Sequence, residues 1–175
     1  MTHHVSFVSP QAFEGRTLHY ADAHLTPYGS AFIATCDRDI VFWGFCSKAE
    51  AGGLRDALGR KWHNAAWQAA PETAGALAKN ACAMPGHLTL AGTPFQHRVW
   101  QKLLDIPQGQ VTSYKELADA LGSTPRAIGG AVGANPVSLL VPCHRVLAAD
   151  KTLNGYRWGL EAKARILAAE GAAFR

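Results

Sequence analysis

Between Ser113 and Pro136 the chain carries two short helices with their own start and stop signals, and this punctuation constrains the fold more than any other stretch. Ser113 followed by Glu116 is a capping box that opens a helix at Tyr114, with Leu117 and Leu121 facing inward and Gly122 as the stop. Ser123-Thr124-Pro125 restarts a helix at Arg126, which runs to about Ala134 before Asn135-Pro136 ends it. Two such helices across Gly122-Ser123-Thr124 have the spacing of a helix-turn-helix, and the same spacing also fits a plain helical hairpin in a core.

The composition of the second helix is unusual. Gly129, Gly130 and Gly133 lie within it, and each glycine costs roughly 1 kcal/mol relative to Ala in a helix interior. Small side chains let a backbone come close to another surface. A helix that reads base edges in a major groove carries Arg, Asn or Gln, and this one has almost none. It suits a narrow minor groove, or binding through phosphates without sequence preference. Tight helix–helix packing is the alternative. Arg126, at the start of the helix, is placed to pair with a phosphate or to enter a base stack.

The rest of the chain falls into two halves. Segments 18–23, 31–36 and 40–46 are β-rich and are divided by Pro27-Tyr28-Gly29 and Asp37-Arg38-Asp39, which predicts an antiparallel hairpin or meander. Ser47 and Glu50 form a capping box, followed by Leu54, Leu58 and Trp62 on one helical face. A second helix is predicted from about Pro71 to Ala83, and a strand at Leu88-Thr89-Leu90. After Ala91-Gly92 the pattern becomes helical. Thr93-Pro94 opens a helix carrying Phe95, Val99, Trp100 and Leu103, and Ile106-Pro107-Gln108-Gly109 stops it. A last helix covers 160–170 and closes at Gly171. The predicted class is α/β: a small N-terminal α/β scaffold domain with antiparallel strands over 1–91, and a mostly helical domain with the helix-turn-helix over 92–175.

Charge is segregated between these halves. The net charge is +4; residues 1–90 hold seven Lys/Arg and seven Asp/Glu, whereas residues 91–175 hold ten and six. The excess in the second half modestly favours an anionic partner. The first 20 residues lack the pattern of a signal peptide, and no stretch approaches the ~20 apolar residues of a membrane span. The expectation is a cytoplasmic monomer that does not engage a membrane. Cys36, Cys46, Cys82 and Cys143 form no CxxC pair and are read as reduced thiols. No zinc-ligand spacing stands out, although His3 and His4 could bind a metal casually. No cofactor and no resident metal are predicted.

Pro142-Cys143-His144-Arg145-Val146 is the chemical signature. It follows the apolar run Leu139-Leu140-Val141, and a proline after a buried run can present the next side chain on a rigid turn. A thiol with an imidazole beside it is a candidate nucleophile. Neighbouring side chains diverge in regular structure, so His144 would act on Cys143 through a water, with an acidic residue orienting its other nitrogen. Glu170 is a reasonable choice, though the spacing does not single it out from the other acidic residues of this half. The alternative is a buried, inert Cys143 with a structural His144. Cys36, Cys46 and Cys82 have no adjacent base and read as structural.

Residues 91–171 resemble the C-terminal domain of the O6-alkylguanine-DNA alkyltransferases, the methylated-DNA–protein-cysteine methyltransferase family. The resemblance is carried by Gly92-Thr93-Pro94-Phe95-Gln96, Ile106-Pro107-Gln108-Gly109, Ser113-Tyr114 and Arg126-Ala127-Ile128-Gly129-Gly130-Ala131. It continues through Asn135-Pro136, the Cys143 motif, Gly155-Tyr156-Arg157-Trp158-Gly159-Leu160 and Glu170-Gly171. The N-terminal half matches the family's variable domain only loosely.

The resemblance implies a role for each matching residue. Cys143 is the acceptor thiolate, His144 takes its proton through a water, and Glu170 holds His144. Asn135 braces the turn between recognition helix and active-site strand. Tyr114 sits over the flipped nucleotide and protonates the departing guanine. Arg126 fills the gap in the base stack; Ser113, Lys115, Ala127 and Gly130 share the DNA-binding face with Tyr114 and Arg126. The backbone at Val146 reads the guanine amino group, and that near Arg157 meets its oxygen. Tyr156, Trp158 and Ser138 complete the pocket.

The implied activity is direct damage reversal on double-stranded DNA. The alkyl group of O6-alkylguanine passes once and irreversibly to Cys143 from a base flipped out through the minor groove, with O4-alkylthymine as a candidate second substrate. Two departures stand out. The turn between Tyr114 and Arg126 is shorter than in typical members, and Ser138 stands at a pocket-rim position where some members carry Pro. The cysteine cluster of an attached phosphotriester-sensing domain is missing from the N-terminal half. A DNA-binding module without chemistry would leave Cys143 and His144 unused. A Cys-His hydrolase of small substrates would leave the glycine-rich helix unexplained.

Overall fold

The structure, a computed structural model, describes residues 3–175; the chain forms two compact units, one ending at Thr93 and the other spanning Pro94–Arg175. The first contains β1 (His4–Val8), β2 (Thr17–Thr26), β3 (Gly29–Cys36), β4 (Asp39–Phe45), α1 (Lys48–Lys61), β5 (Ala66–Ala69), α2 (Pro71–Ala83) and β6 (His87–Ala91). Its six strands form one sheet in the order β1-β6-β4-β3-β2-β5. The predicted meander is the antiparallel centre, β2-β3-β4. Its first turn is locked by Thr26, whose Oγ1 donates to Gly29 O at 2.6 Å and accepts from Tyr28 N at 3.2 Å. Asp37 supplies the left-handed residue of the second, at φ +53°.

Beyond the predicted antiparallel strands the sheet also holds parallel pairs. β1 pairs with β6, β6 with β4, and β5 with β2, all in parallel. β1 and β5 were not anticipated, because His-Val-Ser-Phe-Val and Ala-Trp-Gln-Ala are short edge strands with too little alternation to signal themselves. Cys46, expected inside a strand, lies one residue past β4. Ala31, Phe32, Ile33 and Ala34 on β3 are fully buried, which is what a continuous apolar run implies in a central strand. Trp62, at the end of α1, stacks on Trp67 of β5 with ring centroids 6.0 Å apart.

The second unit contains α3 (Pro94–Leu104), β7 (Thr112–Ser113), α4 (Tyr114–Leu121), α5 (Pro125–Gly133), β8 (Val146–Leu147) and α6 (Leu160–Ala169). One 3-10 turn, Cys143–Arg145, precedes β8. The caps read from sequence are made by real hydrogen bonds. Glu116 N donates to Ser113 Oγ at 3.1 Å, and Ser113 N to Glu116 Oε2 at 2.7 Å. Thr124 Oγ1 accepts from Ala127 N at 3.3 Å with Pro125 in the first turn of α5. Gly122 ends α4 in the left-handed conformation, φ +59°.

The core of this unit is built from Val99, Trp100 and Leu103 of α3, Leu117 of α4, Ile128 and Val132 of α5, and Ile166 and Leu167 of α6. Trp100 Nε1 donates to Ala131 O at 2.8 Å and so fastens α3 to the middle of α5. β7 and β8 pair in parallel, Thr112 with Val146 and Ser113 with Leu147. This short bridge brings the cap of α4 beside the turn that carries Cys143. Among the described residues no helix is long and apolar enough to cross a membrane.

A Cβ at position 122 would meet nothing within 4 Å, so Gly122→Ala isolates the backbone cost of the left-handed cap. The expected loss is about 1 kcal/mol of stability, read as a shift of the urea-unfolding midpoint with unchanged slope.

Candidate active site

Cys143 lies at the start of the 3-10 turn and is 5 % exposed. The connection leading into it is braced from within by Asn135, itself 2 % exposed. Asn135 Nδ2 donates to Val141 O at 2.9 Å, and Asn135 Oδ1 accepts from Val137 N at 3.0 Å. One amide side chain thereby closes the loop between α5 and the cysteine. Cys143 N then donates to Val141 O at 2.8 Å. The thiol points to Ser138 Oγ at 3.9 Å, and that hydroxyl accepts from Trp158 Nε1 at 2.5 Å. With the indole donating to it, the Ser138 hydroxyl keeps its own proton free to turn toward a thiolate.

His144 is fully buried, and its Nε2 lies 3.1 Å from Glu170 Oε1. The carboxylate places the ring proton on Nε2 and leaves Nδ1 as the acceptor. Nδ1 is buried and makes no hydrogen bond to the protein. Burial lowers the pKa of His144 and outweighs the opposing pull of Glu170, so the imidazole is neutral near pH 7 and able to accept a proton.

Glu170 also receives Arg145, from Nε to Oε2 at 2.9 Å and from Nη2 to Oε1 at 2.6 Å, a two-point grip. Arg145 Nη1 reaches Ile106 O at 2.6 Å. Burial pushes the Glu170 carboxyl up, but the hydrogen bonds and charges of His144 and Arg145 win and hold it at about 2.

In front of Cys143 opens a cavity of about 660 Å³ whose wall includes Tyr114, Gly129, Asn135, Ser138, Cys143 and Tyr156. Burial raises the thiol pKa, while Asn135, Ser138, the charge of Lys163 and Tyr156 pull it down. Tyr114 packs its ring over α5, 3.9 Å from where a Cβ on Gly129 would stand, and its hydroxyl donates to Gly155 O at 3.4 Å. Burial, reinforced by Cys143, raises its pKa, which keeps the phenol protonated.

A model of the family described as "6-O-methylguanine DNA methyltransferase, DNA binding domain" matches residues 94–172. A methylated-DNA–protein-cysteine methyltransferase of Candida albicans is 52 % identical over 82 residues, 47 % of this chain and 47 % of that protein. The chain spans about half the length of the curated relatives it matches. Solved structures extend the likeness. O6-methylguanine methyltransferase of Mycobacterium tuberculosis is 30 % identical with a TM-score of 0.68, covering 89 % of this chain and 92 % of that one. The chain belongs to the methylated-DNA–protein-cysteine methyltransferase family. A further M. tuberculosis structure, of OGT in complex with DNA, matches at 30 % identity and a TM-score of 0.66 over the same shares of the two chains.

Cys143, His144, Glu170, Asn135 and Tyr114, grouped by the methyltransferase resemblance, converge around one cavity and the turn behind it. Arg126, Ala127 and Gly130 are exposed together on α5, while Ile128, Ala131 and Val132 point inward. Lys115 is exposed and paired with Asp119 at 2.6 Å. Ser113 lies at the start of α4. It is 8 % exposed and its hydroxyl caps α4.

Tyr156, Arg157 and Trp158 line the cavity, with the Arg157 guanidinium 4.8 Å over the Trp158 ring. Ser138 lines it as well but is only 1 % exposed, deeper than a rim position. Val146 is buried completely, and its carbonyl accepts from Lys163 Nζ at 2.7 Å.

Sequence reasoning missed Arg145 and Lys163. Arg145 stood inside the signature motif with no partner in view. Lys163 did leave a signal: it shares the inward stripe of α6 with Ile166, Leu167 and Glu170, at i, i+3, i+4 and i+7. Among the described residues no group of three or more His, Cys, Asp or Glu is placed to hold a metal ion.

Glu170→Gln leaves Arg145 and His144 buried without their anion, and about 3 kcal/mol of stability should be lost at neutral pH. Because the folded pKa of Glu170, about 2, lies below the ordinary 4.5, the stabilisation is complete above pH 4.5 and is lost as pH falls toward 2. Urea unfolding at neutral pH and at pH 3 should therefore show the gap between wild type and variant narrowing in acid.

Proposed function

We propose that the protein repairs alkylated DNA by taking the alkyl group from O6 of guanine onto Cys143. The observation that carries this reading is a buried thiol at the end of an open cavity, with a neutral His144 held by the Glu170 carboxylate behind it and Tyr114 on its wall. His144 Nδ1 takes the thiol proton through a water, and Glu170 stabilises the imidazolium that results. The Ser138 hydroxyl turns its proton to the thiolate. Sulfur attacks the alkyl carbon in line; the S–C bond forms, the C–O6 bond breaks, and its electron pair passes to the guanine. Tyr114 donates a proton to the departing base and is re-protonated at the expense of the imidazolium. The product is a thioether. No group in the cavity is suited to hydrolyse it, so one protein repairs one lesion. O4-alkylthymine offers the same alkyl–oxygen bond as a second substrate.

The exposed face of α5 supports a partner that approaches from outside. A Cβ added at Gly130 or Gly133 meets nothing within 4 Å, which removes internal helix packing as the reason for these glycines. A face this bare lets the backbone approach the floor of a minor groove without reading sequence. Arg126 stands at its N-terminal end, placed to occupy the stack once the base is flipped into the cavity. The paired α4 and α5 then act as a helix-turn-helix, and the protein works as a monomer on double-stranded DNA.

Incubation with duplex DNA containing O6-methylguanine should add one methyl group per protein, on the peptide that holds Cys143, and then stop. Cys143→Ser should bind the same duplex and gain no mass. Binding with unchanged mass in the wild type would instead mark a lesion sensor, and turnover of a small ester would mark a hydrolase. Gly130→Leu and Gly133→Leu test the face separately. Both should unfold no earlier than wild type in thermal melts, because a Cβ at either position meets open space and each removed helical glycine gains up to about 1 kcal/mol. Duplex affinity, read by fluorescence anisotropy, should nevertheless fall by about tenfold or more, the equivalent of about 1.4 kcal/mol.

A further inference from the structure

Among the described residues, those that line the cavity in front of Cys143 include two cations and no carboxylate. Lys115 is one of the cations, and its charge is shared with Asp119 at 2.6 Å. Arg157 is the other. It is an exposed residue on the wall of an open cavity, so it stands at the mouth, whereas Cys143 is buried at the far end. The Arg157 guanidinium lies over the Trp158 ring, 4.8 Å from its centre. A guanidinium stacked on an aromatic face keeps the N–H fork in its own plane free for a second partner.

The stack is anchored from within. Trp158 Nε1 donates to Ser138 Oγ at 2.5 Å, and Ser138 faces the thiol at 3.9 Å. Sulfur, hydroxyl, indole and guanidinium thus follow one another from the floor of the cavity to its mouth, which fixes the place of the Arg157 charge relative to the sulfur. Among the described residues no Asp or Glu pairs with Arg157. Burial lowers its pKa against the opposing pull of Cys143, yet an arginine stays protonated at any working pH. The group has given up part of its water without taking a protein carboxylate in exchange, and an incoming anion completes it.

A nucleotide turned into this cavity brings its base to Cys143 and leaves its phosphodiester at the mouth. We propose that the Arg157 side chain is the phosphate clamp of the flipped nucleotide: its N–H fork grips the backbone phosphate beside the lesion while the Trp158 indole holds the guanidinium in place. This role rests on reading the cavity as the pocket for a flipped base. It belongs to the guanidinium, and is separate from the contact to the guanine oxygen that the resemblance implies for the backbone there. Phosphate fits because it is an anion whose two free oxygens match the fork; Lys115 offers no fork. A grip made only when the nucleotide is turned inward favours the flipped state over the stacked one. Arg157 then serves lesion recognition and adds little to general attraction for DNA.

The test reads duplex binding by fluorescence anisotropy, with the full chain carrying Cys143→Ser so that no methyl group moves. Adding Arg157→Met should weaken binding to a duplex containing O6-methylguanine about tenfold, and change affinity for the undamaged duplex by less than about twofold. On the lesion duplex the slope of log affinity against log salt should become shallower by about one, the mark of a single lost phosphate contact. Arg157→Lys should restore that slope, because it restores the charge, and only part of the affinity, because it lacks the fork.

A second arm changes the DNA. Neutral methylphosphonate replaces, one at a time, the phosphates that flank the lesion. One replacement should cost the parent protein about tenfold and leave the Arg157→Met protein indifferent. Replacements that cost both proteins equally would overturn the proposal, as would an Arg157→Met protein that binds the lesion duplex like its parent, or a parent that does not bind it. Neither arm involves transfer. Coupling between Arg157 and one phosphate, in a chain whose Cys143 accepts no methyl group, would count against repair and leave Arg157 its role. Methyl transfer without that coupling would remove the role and leave the repair reading standing.

Discussion

The grip of Glu170 on Arg145 and His144 is the interaction on which the rest of the second unit depends. Glu170 sits at the end of α6, and both its partners sit in the turn that presents Cys143. One carboxylate thus decides where the turn lies, which ring nitrogen of His144 bears the proton, and how Arg145 is spent. Arg145 passes the restraint on to Ile106 O, at the end of α3. A buried carboxylate of this kind is tolerable because two charge-assisted hydrogen bonds and an imidazole satisfy it. Burial leaves His144 neutral against the pull of Glu170, with its other nitrogen available.

Around that anchor the fold keeps its rigid parts inward and its bare parts outward. Asn135 closes the approach to Cys143 through two backbone bonds, and Lys163 joins the carbonyls of Val146 and Asn154. α5 then accepts a helix-breaking composition on its exposed side because its inward side is secured by Ile128, Val132 and the Trp100 bond to Ala131. Local propensity and packing pull in opposite directions along this one helix. Packing prevails, and the weak face is left free for an external surface.

The elements with strong local punctuation were legible in the sequence. The capping box at Ser113 and Glu116, the stop at Gly122 and the restart at Thr124-Pro125 place α4 and α5 within a residue of where they lie. The meander was legible because Tyr28-Gly29 and Asp37-Arg38 interrupt long apolar runs. β1 and β5 were not, since a four- or five-residue edge strand carries too few positions to establish a period. The parallel pairing of those strands is a long-range choice that no local pattern records. Ser113 illustrates a subtler limit: its capping role was legible in the sequence, while its burial was not.

By itself the sequence determined the residue types of the chemistry and the helices that frame them: a thiol beside an imidazole, a glycine-rich helix headed by Arg126, and a family resemblance over the second half of the chain. Tertiary structure decided which partner each group takes. It chose Glu170 among the acidic residues, recruited Arg145 to the same carboxylate, and buried Lys163 against two carbonyls. It also showed Gly130 and Gly133 facing open space instead of a neighbouring helix. The physical reason is range. Caps, turns and periodicity act over a few residues and are written locally, whereas the charge and hydrogen bonds that poise Cys143 come from residues up to 27 positions away and exist only once α6 has packed against the turn.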